Sequence, residues 1–584
     1  MSGSHPILCL TLLLNYATCA CSYNLVLLHT NDVHAHIEEM NKYASGCKAS
    51  DRDKGECYGG VARRVTKINE IRGMDPDHTL LLDAGDQFQG TLWFNIYNGQ
   101  EAARFMNEMK YDAMSLGNHE FDNGVEGLIP FMENVTFPIV CCNLDTSQQP
   151  NMIGLFSRHE ILNKGGKRIA IIGYLTEDTS FISNPGKHLH FYDVVDSVKA
   201  EVQKIKSMTP KVDILIGVGH YGYGNDKKLA HAVPDLDIIV GGHTHTFLYN
   251  MTGPLPSNDE PEGPYPTIVD HGTRKTLIVQ DYFAGKYLGF LNITFDSNNN
   301  VESWDGLPIL LDNNTLQDPN ILAEVTEMSK ELEAEKQKVV GYSAVYLEGD
   351  SKVCRLMECN LGNLITDGMV SHHAHKIPLN GSWSDAAIAI LNSGGIRAPI
   401  ERGNISRGDV LTTMPFRNNV DLINLQGKYL RQALEHSVQH YDKLNRAGAF
   451  LQVSGLRVTY DLCKPPGQRV VSAYTRCRRC SSPRYSLLND DKIYTIVTLD
   501  FVIRGGDGFK VIHDHHTDHQ PFNEIDSDVF TSYLQSNSPI IKGEEGRITL
   551  LEDCAASNSM IIKPNAFNLF VIPLVFFNIL LCLL

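Results

Sequence analysis

Five stretches in the first half of the chain share one pattern, an apolar run that ends in polar residues. Asn24 to Thr30 runs into Asn31, Asp32, Val33 and His34. Thr79 to Asp83 runs into Ala84, Gly85 and Asp86. Asp112 to Leu116 runs into Gly117-Asn-His-Glu-Phe-Asp122, Val212 to Val218 into Gly219 and His220, and Leu236 to Val240 into Gly241-Gly-His-Thr-His245. Runs of this length, separated by stretches of helical character such as Gly60 to Arg72, predict buried strands of an α/β layer fold. In such sheets, sites form just beyond the carboxyl ends of the strands. Five strand ends are therefore predicted to deliver Asp, His and Asn side chains to one edge. Farther on, Asp318 to Val340 is charged and carries Ile321, Leu322, Val325, Met328 and Leu332 at helical spacing, which predicts a helix between two halves.

The two ends read differently. Pro6 to Leu14 is a short apolar core followed by small residues at Ala17 to Ala20, the pattern of a secretory signal peptide cut near Ala20 or Cys21. Phe567 to Leu584 is almost continuously apolar and is preceded by Ala555-Ala-Ser-Asn-Ser559. Small residues, a spacer and a terminal apolar tail are the pattern of glycosylphosphatidylinositol attachment, with Ser557 as the attachment residue. A spanning helix competes with that reading, but no basic stop-transfer cluster follows the run.

Composition narrows the class. At 584 residues the chain exceeds what one compact core accommodates, so two or more domains are expected. A formal net charge of -17 argues against nucleic-acid binding, which needs a basic face. The 14 cysteines agree with export. Cys47 with Cys57, Cys354 with Cys359 and Cys477 with Cys480 have the spacing of small disulfide loops. A zinc ribbon at the last pair would need a second Cys-x-x-Cys, and the sequence has none. Cys141, Cys142 and Cys463 receive no partner. Sequons at Asn134, Asn250, Asn292, Asn313, Asn380 and Asn404 suggest a glycoprotein.

The residue types at the strand ends suit a pair of divalent cations, which can activate a water and neutralise a phosphoryl group. Asp86 is the natural bridging carboxylate. Asp32 and His34 suit one metal, with His245 completing it, and Asn118, His220 and His243 suit the other. Mixed imidazole and carboxylate ligands fit zinc, with manganese, iron or cobalt as alternatives, better than calcium. His119, three residues before Asp122, is suited to stabilise or protonate a departing oxygen.

These motifs, Asn31-Asp-Val-His34, Gly85-Asp86, Gly117 to Asp122, Gly219-His220 and Gly242 to His245, resemble the calcineurin-type metallophosphoesterase signature. With the second half, the chain is similar to the 5'-nucleotidase family, which includes ecto-5'-nucleotidases and apyrases, from Asn24 to Leu550. The resemblance implies an N-terminal metallophosphoesterase β-sandwich layered with helices (22–317, after a signal peptide over 1–21). A linker helix (318–340) and a C-terminal α+β nucleoside-binding domain (341–550) follow, with a discarded propeptide over 558–584. Matching pieces in the second half are Cys354 to Asn363, Asn392-Ser-Gly-Gly-Ile-Arg397, Pro415-Phe416, Phe501 and Gly505 to Phe509. By resemblance, Phe416 and Phe501 sandwich the base, Arg355 and Arg397 clamp phosphate, Asn392 touches the base and Asp507 holds the ribose.

The chain departs from the family at several points. His36 stands where vertebrate members have an arginine near the phosphate, and His245 where they have asparagine. Thr366 and Ala389 replace a usual disulfide. Arg417 and Arg504 add charge beside the two stacking phenylalanines, which could favour di- and triphosphates. The expected activity is extracellular hydrolysis of nucleoside 5'-monophosphates such as AMP, on a membrane reached through the lipid anchor, with a homodimer left open. An apyrase acting on ATP and ADP is the alternative, and a non-catalytic nucleotide-sequestering protein a third. The complete ligand set argues against the third, and the lipid-anchor tail favours the first over the second.

Overall fold

The computed structural model describes residues 22–42, 44–250, 254–376, 383–521, 524–552 and 554. The signal segment, the sequon at Asn380, the attachment residue Ser557 and the segment 558–584 lie outside the described residues.

The five apolar runs of the first half are strands, but they belong to two sheets. Tyr23–Thr30, Thr79–Asp83, Ala113–Ser115 and Ile139–Val140 run parallel in one sheet, extended on its other side by Tyr287–Phe295 and Val301–Asp305, which are antiparallel. Ile214–His220 and Ile238–Gly241 lie in the second sheet, between the parallel strands Lys167–Leu175 and Lys275–Val279. The sheets pack face to face: Leu25, Leu27, Leu80 and Leu82 of the first meet Ile169, Ile171, Ile216 and Val218 of the second in one buried cluster. Helices cover the outer faces. Val61–Met74 and Gln100–Met109 bury Val61, Val65, Ile68, Phe105 and Met106 against Leu28 and Leu81. Each strand therefore has apolar neighbours on both faces, which is why its sequence is a continuous apolar run with no alternation. This is an α/β sandwich layered with helices.

The helix between the halves spans Pro319–Lys336 and starts at an Asp318 cap, whose carboxylate accepts the amides of Asn320 and Ile321 at 2.9 and 3.1 Å. It ends four residues before the predicted boundary at Val340. The β-branched pair Val339-Val340 instead opens the strand Val339–Ser343, which pairs with Gly403–Ser406. Ile321, Val325 and Leu332 are buried, whereas Leu322 is 39% exposed. Leu322 follows Ile321 directly, so it points about 100° around the helix from the packed face.

The second half holds a five-stranded sheet, ordered Leu451–Ser454, Ile388–Asn392, Ile493–Leu499, Val420–Gln426 and Thr517–Gln520, and a four-stranded sheet. Helix Asn360–Lys376 packs on the first of these.

Disulfides join Cys47 to Cys57, Cys354 to Cys359 and Cys477 to Cys480, and a fourth joins Cys463 to Cys554. Cys463 is thus partnered, a correction to its unassigned state in the sequence reading. Its partner lies 91 residues away, just after a strand that runs parallel to Leu456–Asp461. Cys141 and Cys142 are free and buried. Among the described residues no helix is long and apolar enough to cross a membrane.

Candidate active site

The carboxyl ends of strands from both sheets open on the same side of the sandwich. Asp32 follows the first strand, Asp86 the second and Asn118 the third, while His220 ends a strand of the facing sheet and His243 and His245 follow another. All seven predicted ligands, His34 included, are within the protein interior or at the floor of one cleft. Asp32, His34, Asp86, His243 and His245 hold left-handed backbone, with φ between 50° and 80°. For non-glycine residues this costs about 1–3 kcal/mol each and clusters at functional sites. Two glycines make the turns fit. A Cβ on Gly117 would stand 2.2 Å from Asp86 Oδ1, and one on Gly85 (φ 89°) would stand 2.4 Å from the Gly117 amide.

Two carboxylates occupy the middle of the cluster. Asp32 Oδ1 is 3.3 Å from His245 Nε2, 3.8 Å from His220 Nε2 and 3.9 Å from His34 Nε2. Asp86 Oδ2 is 3.0 Å from His220 Nε2, 3.8 Å from His34 Nε2 and 3.9 Å from His119 Nε2. Two groups of metal-ligand type result, Asp32-His34-His245 and Asp32-Asp86-His220, so Asp32 is common to both while Asp86 joins one of them. Asn118 and His243 stand beside these groups and bond each other, Oδ1 to Nδ1, at 2.9 Å.

The donor set fits divalent metal ions. His34 donates its Nδ1–H to the Phe88 carbonyl at 3.0 Å, and His220 donates its own to the Ala84 carbonyl at 2.8 Å. That fixes the orientation of each ring and turns each Nε2 toward the carboxylates, as metal-ligating histidines are commonly held. His220 Nε2 is fully buried 3.0 Å from Asp86 Oδ2; burial opposes its charge, but Asp86 and Asp32 raise the imidazole to about 10, so a bound ion would take the place of that proton. Electrostatics concentrate negative charge here. Burial alone would raise Asp86, but His220 and His119 overcome it and hold the carboxyl well below its ordinary value. Burial and the neighbouring His220 push His243 down to about 3, so its ring is neutral and able to ligate.

His119 lies at the rim of this cluster. Its Nδ1–H donates to Asp122 Oδ2 at 2.6 Å, and the other Asp122 oxygen accepts the Ser183 hydroxyl at 2.6 Å. Burial works against charge on His119, but Asp122 and Asp86 outweigh it and raise the imidazole above its ordinary value.

The second half of the chain closes the cleft, which encloses about 830 Å³. Arg355, Asn392, Arg397, Phe416, Phe501 and Asp507 all line it, opposite His119 and His243. Arg397 Nη2 reaches His34 Nε2 at 3.1 Å. Arg355 Nε is buried without a hydrogen-bond partner, and burial, with Arg397 nearby, lowers this guanidinium to about 9. Two desolvated guanidiniums beside the carboxylate cluster form a receptor for a small multivalent anion. Asn392 Nδ2 donates to Asp507 Oδ2 at 2.7 Å. Phe416 stacks on His119, with centroids 5.5 Å apart, and lies 5.7 Å from the Arg397 guanidinium. Among the described residues no ring contact joins Phe416 to Phe501.

His36 bonds the carbonyls of Val33 and Ala44 and does not line the cleft. Arg417 and Arg504 do line it, and Arg504 pairs with Asp500 at 2.9 Å. Sequence reasoning passed over Glu120. Its carboxylate accepts the amides of Asp86, Gln87, Phe88 and Gly117 at 3.0, 2.8, 3.2 and 2.6 Å, pinning the Asp86 loop to the Asn118 turn. Burial and the Asp86 charge push it up to about 7. Glu262 and Arg446 were also missed. They pair at 2.6 Å across the two halves, and the Arg446 carbonyl accepts from Arg355 Nη1 at 3.2 Å.

Comparison with known proteins follows this division. The family model described as calcineurin-like phosphoesterase matches residues 25–247, and that described as 5'-nucleotidase, C-terminal domain, matches residues 339–514. The 5'-nucleotidase of Diplobatis ommata is 42% identical over 547 residues, which cover 92% of this chain and 91% of the relative. The 5'-nucleotidase of Homo sapiens is 42% identical over 535 residues, 90% of this chain and 91% of the relative. The crystal structure of a 5'-nucleotidase precursor from Thermus thermophilus superposes with a TM-score of 0.82 at 36% identity, covering 91% of this chain and 100% of that one.

Proposed function

Since this chain belongs to the 5'-nucleotidase family, we propose that two divalent ions held by Asp32, His34, Asp86, Asn118, His220, His243 and His245 serve its reaction, and that it works outside the cell. The chain is a phosphoric monoester hydrolase that converts nucleoside 5'-monophosphates to nucleoside and phosphate. Divalent metal ions belong to that chemistry. The observation that carries the detailed reading is the convergence of two carboxylates and three imidazole Nε2 atoms on a cleft faced from the other half by Arg355 and Arg397. In this reading residues 22–317 form the catalytic domain and 341–550 the nucleoside-binding domain. Asp32 belongs to both groups, and Asp86 Oδ2 faces His220 of one and His34 of the other, so either carboxylate would be placed to serve both ions, with Asp86 our choice.

When bound, the ions polarise the phosphoryl oxygens and make a water nucleophilic at neutral pH; zinc suits the donor set best. The protein residues do the rest. Arg355 and Arg397 hold the phosphate and balance its charge. Asp122 keeps the His119 proton on Nδ1 and orients the ring, so the imidazolium Nε2–H can be given to the ester oxygen as it departs. Phe416 and Phe501 stack the base between them, which requires Phe416 to leave the His119 ring that it packs on here. Asn392 and Asp507, already bonded to each other, bind base and ribose. Glu120 acts one layer deeper by fixing the loop that presents Asp86.

Base stacking is worth about 1–3 kcal/mol, or ~5- to 150-fold in binding. Phe416→Ala and Phe501→Ala are therefore expected to raise KM for AMP by that range. Hydrolysis of p-nitrophenyl phosphate, which has no base to stack, should stay near the wild-type rate. Equal losses on both substrates would show that the rings do not act on the base.

The external location is supported by the five described sequon asparagines, Asn134, Asn250, Asn292, Asn313 and Asn404, all exposed, and by the four disulfides. With the lipid anchor at Ser557, treating intact cells with a phosphatidylinositol-specific phospholipase should release the activity into the medium. A lipase-resistant protein that retains Leu584 would instead be a spanning one.

A further inference from the structure

Four of seven consecutive residues, His513-Asp-His-His-Thr-Asp-His519, are histidines, and none of them lines the catalytic cleft. Short tracts of this composition bind metals, and the structure gives this one a specific arrangement. His516 ends the helix Lys510–His515 and donates Nδ1–H to the Ile512 carbonyl at 2.9 Å. His519 lies in the edge strand Thr517–Gln520 and donates Nε2–H to Asp421 Oδ2 at 2.8 Å. Asp421, on the adjacent strand, is only 2% exposed, so the acceptor is fixed.

Each ring is thus anchored through one nitrogen to an oxygen of the protein and keeps the other nitrogen without a partner among the described residues. That is how metal-ligating histidines are oriented, and a carboxylate partner also raises the basicity of the ligating nitrogen. The rings are close enough to share an ion. Their centroids are 5.9 Å apart at 88°, and two imidazoles bound to one zinc at about 2.0–2.1 Å keep their centroids within roughly 6.5 Å. Asp514 on the same tract pairs with His513 at 2.9 Å and Asp518 accepts from Asn424 at 2.7 Å, so the two rings alone supply the ligand atoms from the chain. His519 also partners the buried Asp421 carboxylate, but its side chain is 37% exposed, so the ring's other edge is open to an ion.

We propose that His516 and His519 form a second metal site, separate from the catalytic cleft, which binds one late first-row divalent ion of the zinc, copper or nickel type. Imidazole ligands favour these ions over magnesium or calcium. The bound ion links the end of helix Lys510–His515 to the edge strand. That helix begins directly after Phe509, in the turn that carries Asp507, so the site braces the segment behind the nucleoside pocket.

The test is equilibrium dialysis of the purified chain against zinc alone, with metal counted per chain and the melting temperature recorded. The wild type is expected to hold one more zinc than the His516→Ala/His519→Ala variant, and zinc should raise its Tm further. AMP hydrolysis should be the same in both, and circular dichroism verifies folding independently of the catalytic reading. If the double variant does not fold, His519→Ala alone, at a partly exposed ring, is expected to lose the same ion. Equal zinc counts in wild type and a folded variant would overturn the site. So would a Cu2+-loaded chain whose electron paramagnetic resonance spectrum loses no nitrogen coupling in that variant.

Discussion

Replacing Asp86 with alanine is expected to remove AMP hydrolysis by at least ~10³-fold, the upper range for loss of one preorganised electrostatic partner, in a protein that still folds. Asp86 is the point where three imidazoles, His34, His119 and His220, meet one carboxylate oxygen. Its other oxygen accepts the His119 amide at 2.9 Å. The substitution therefore removes a proposed metal ligand and loosens the turn that carries Asn118 and His119. The stability cost has two sources. Leaving the buried His119 amide unpaired costs about 1–3 kcal/mol. Alanine tolerates left-handed backbone less well than aspartate, which adds only part of the roughly 1–2 kcal/mol that this conformation costs. Neither exceeds what a chain with three extensive buried clusters sustains. Metal content, circular dichroism and phosphate release on the purified variant give the answer. A folded Asp86→Ala protein with near-normal turnover would contradict the dinuclear assignment.

His119→Ala is expected to lower kcat on AMP by about 10²- to 10⁴-fold, the usual range for a general acid, while KM moves only a few-fold. The reason lies in timing. A proton given to the ester oxygen stabilises the transition state and does little for bound substrate. The bond from His119 Nδ1 to Asp122 leaves only Nε2 for that task. A further contrast separates this role from a structural one. p-Nitrophenolate leaves without needing a proton, so the variant should lose much less on p-nitrophenyl phosphate than on AMP. Phe416 also loses its packing partner, which accounts for a modest KM change. A large KM rise with kcat intact, or equal losses on both substrates, would assign His119 to binding instead.

The sandwich and its metal-type ligands were legible in the sequence for a local reason. Each strand is buried on both faces and so is a continuous apolar run, and each ligand follows such a run directly. Asp32, Asp86, Asn118 and His220 could be placed without knowing which strands were neighbours. The division of these strands between two sheets is not local, and only pairing reveals it. The same limit applies to Cys463 and Cys554, which are brought together by the parallel strands Leu456–Asp461 and Ile548–Leu551. Glu120 escaped notice because its partners are backbone amides, which leave no side-chain pattern to read. The left-handed backbone at Asp32, His34 and His245 has no sequence mark either, since the strain is imposed by the surrounding fold. In the second half, Arg355, Arg397 and Phe416 were placed by family resemblance. Their position depends on how one half docks on the other, through contacts such as Glu262 to Arg446.

The central claim is that the cleft between the two halves hydrolyses nucleoside 5'-monophosphates with divalent metal ions. Phosphate release from AMP by the purified chain, before chelation, after chelation and after zinc is restored, tests it most directly, with ADP and ATP run alongside. The account predicts rapid release from AMP that disappears on chelation and returns with zinc. Release from ATP and ADP but not from AMP, or release from AMP that chelation leaves unchanged, would contradict it.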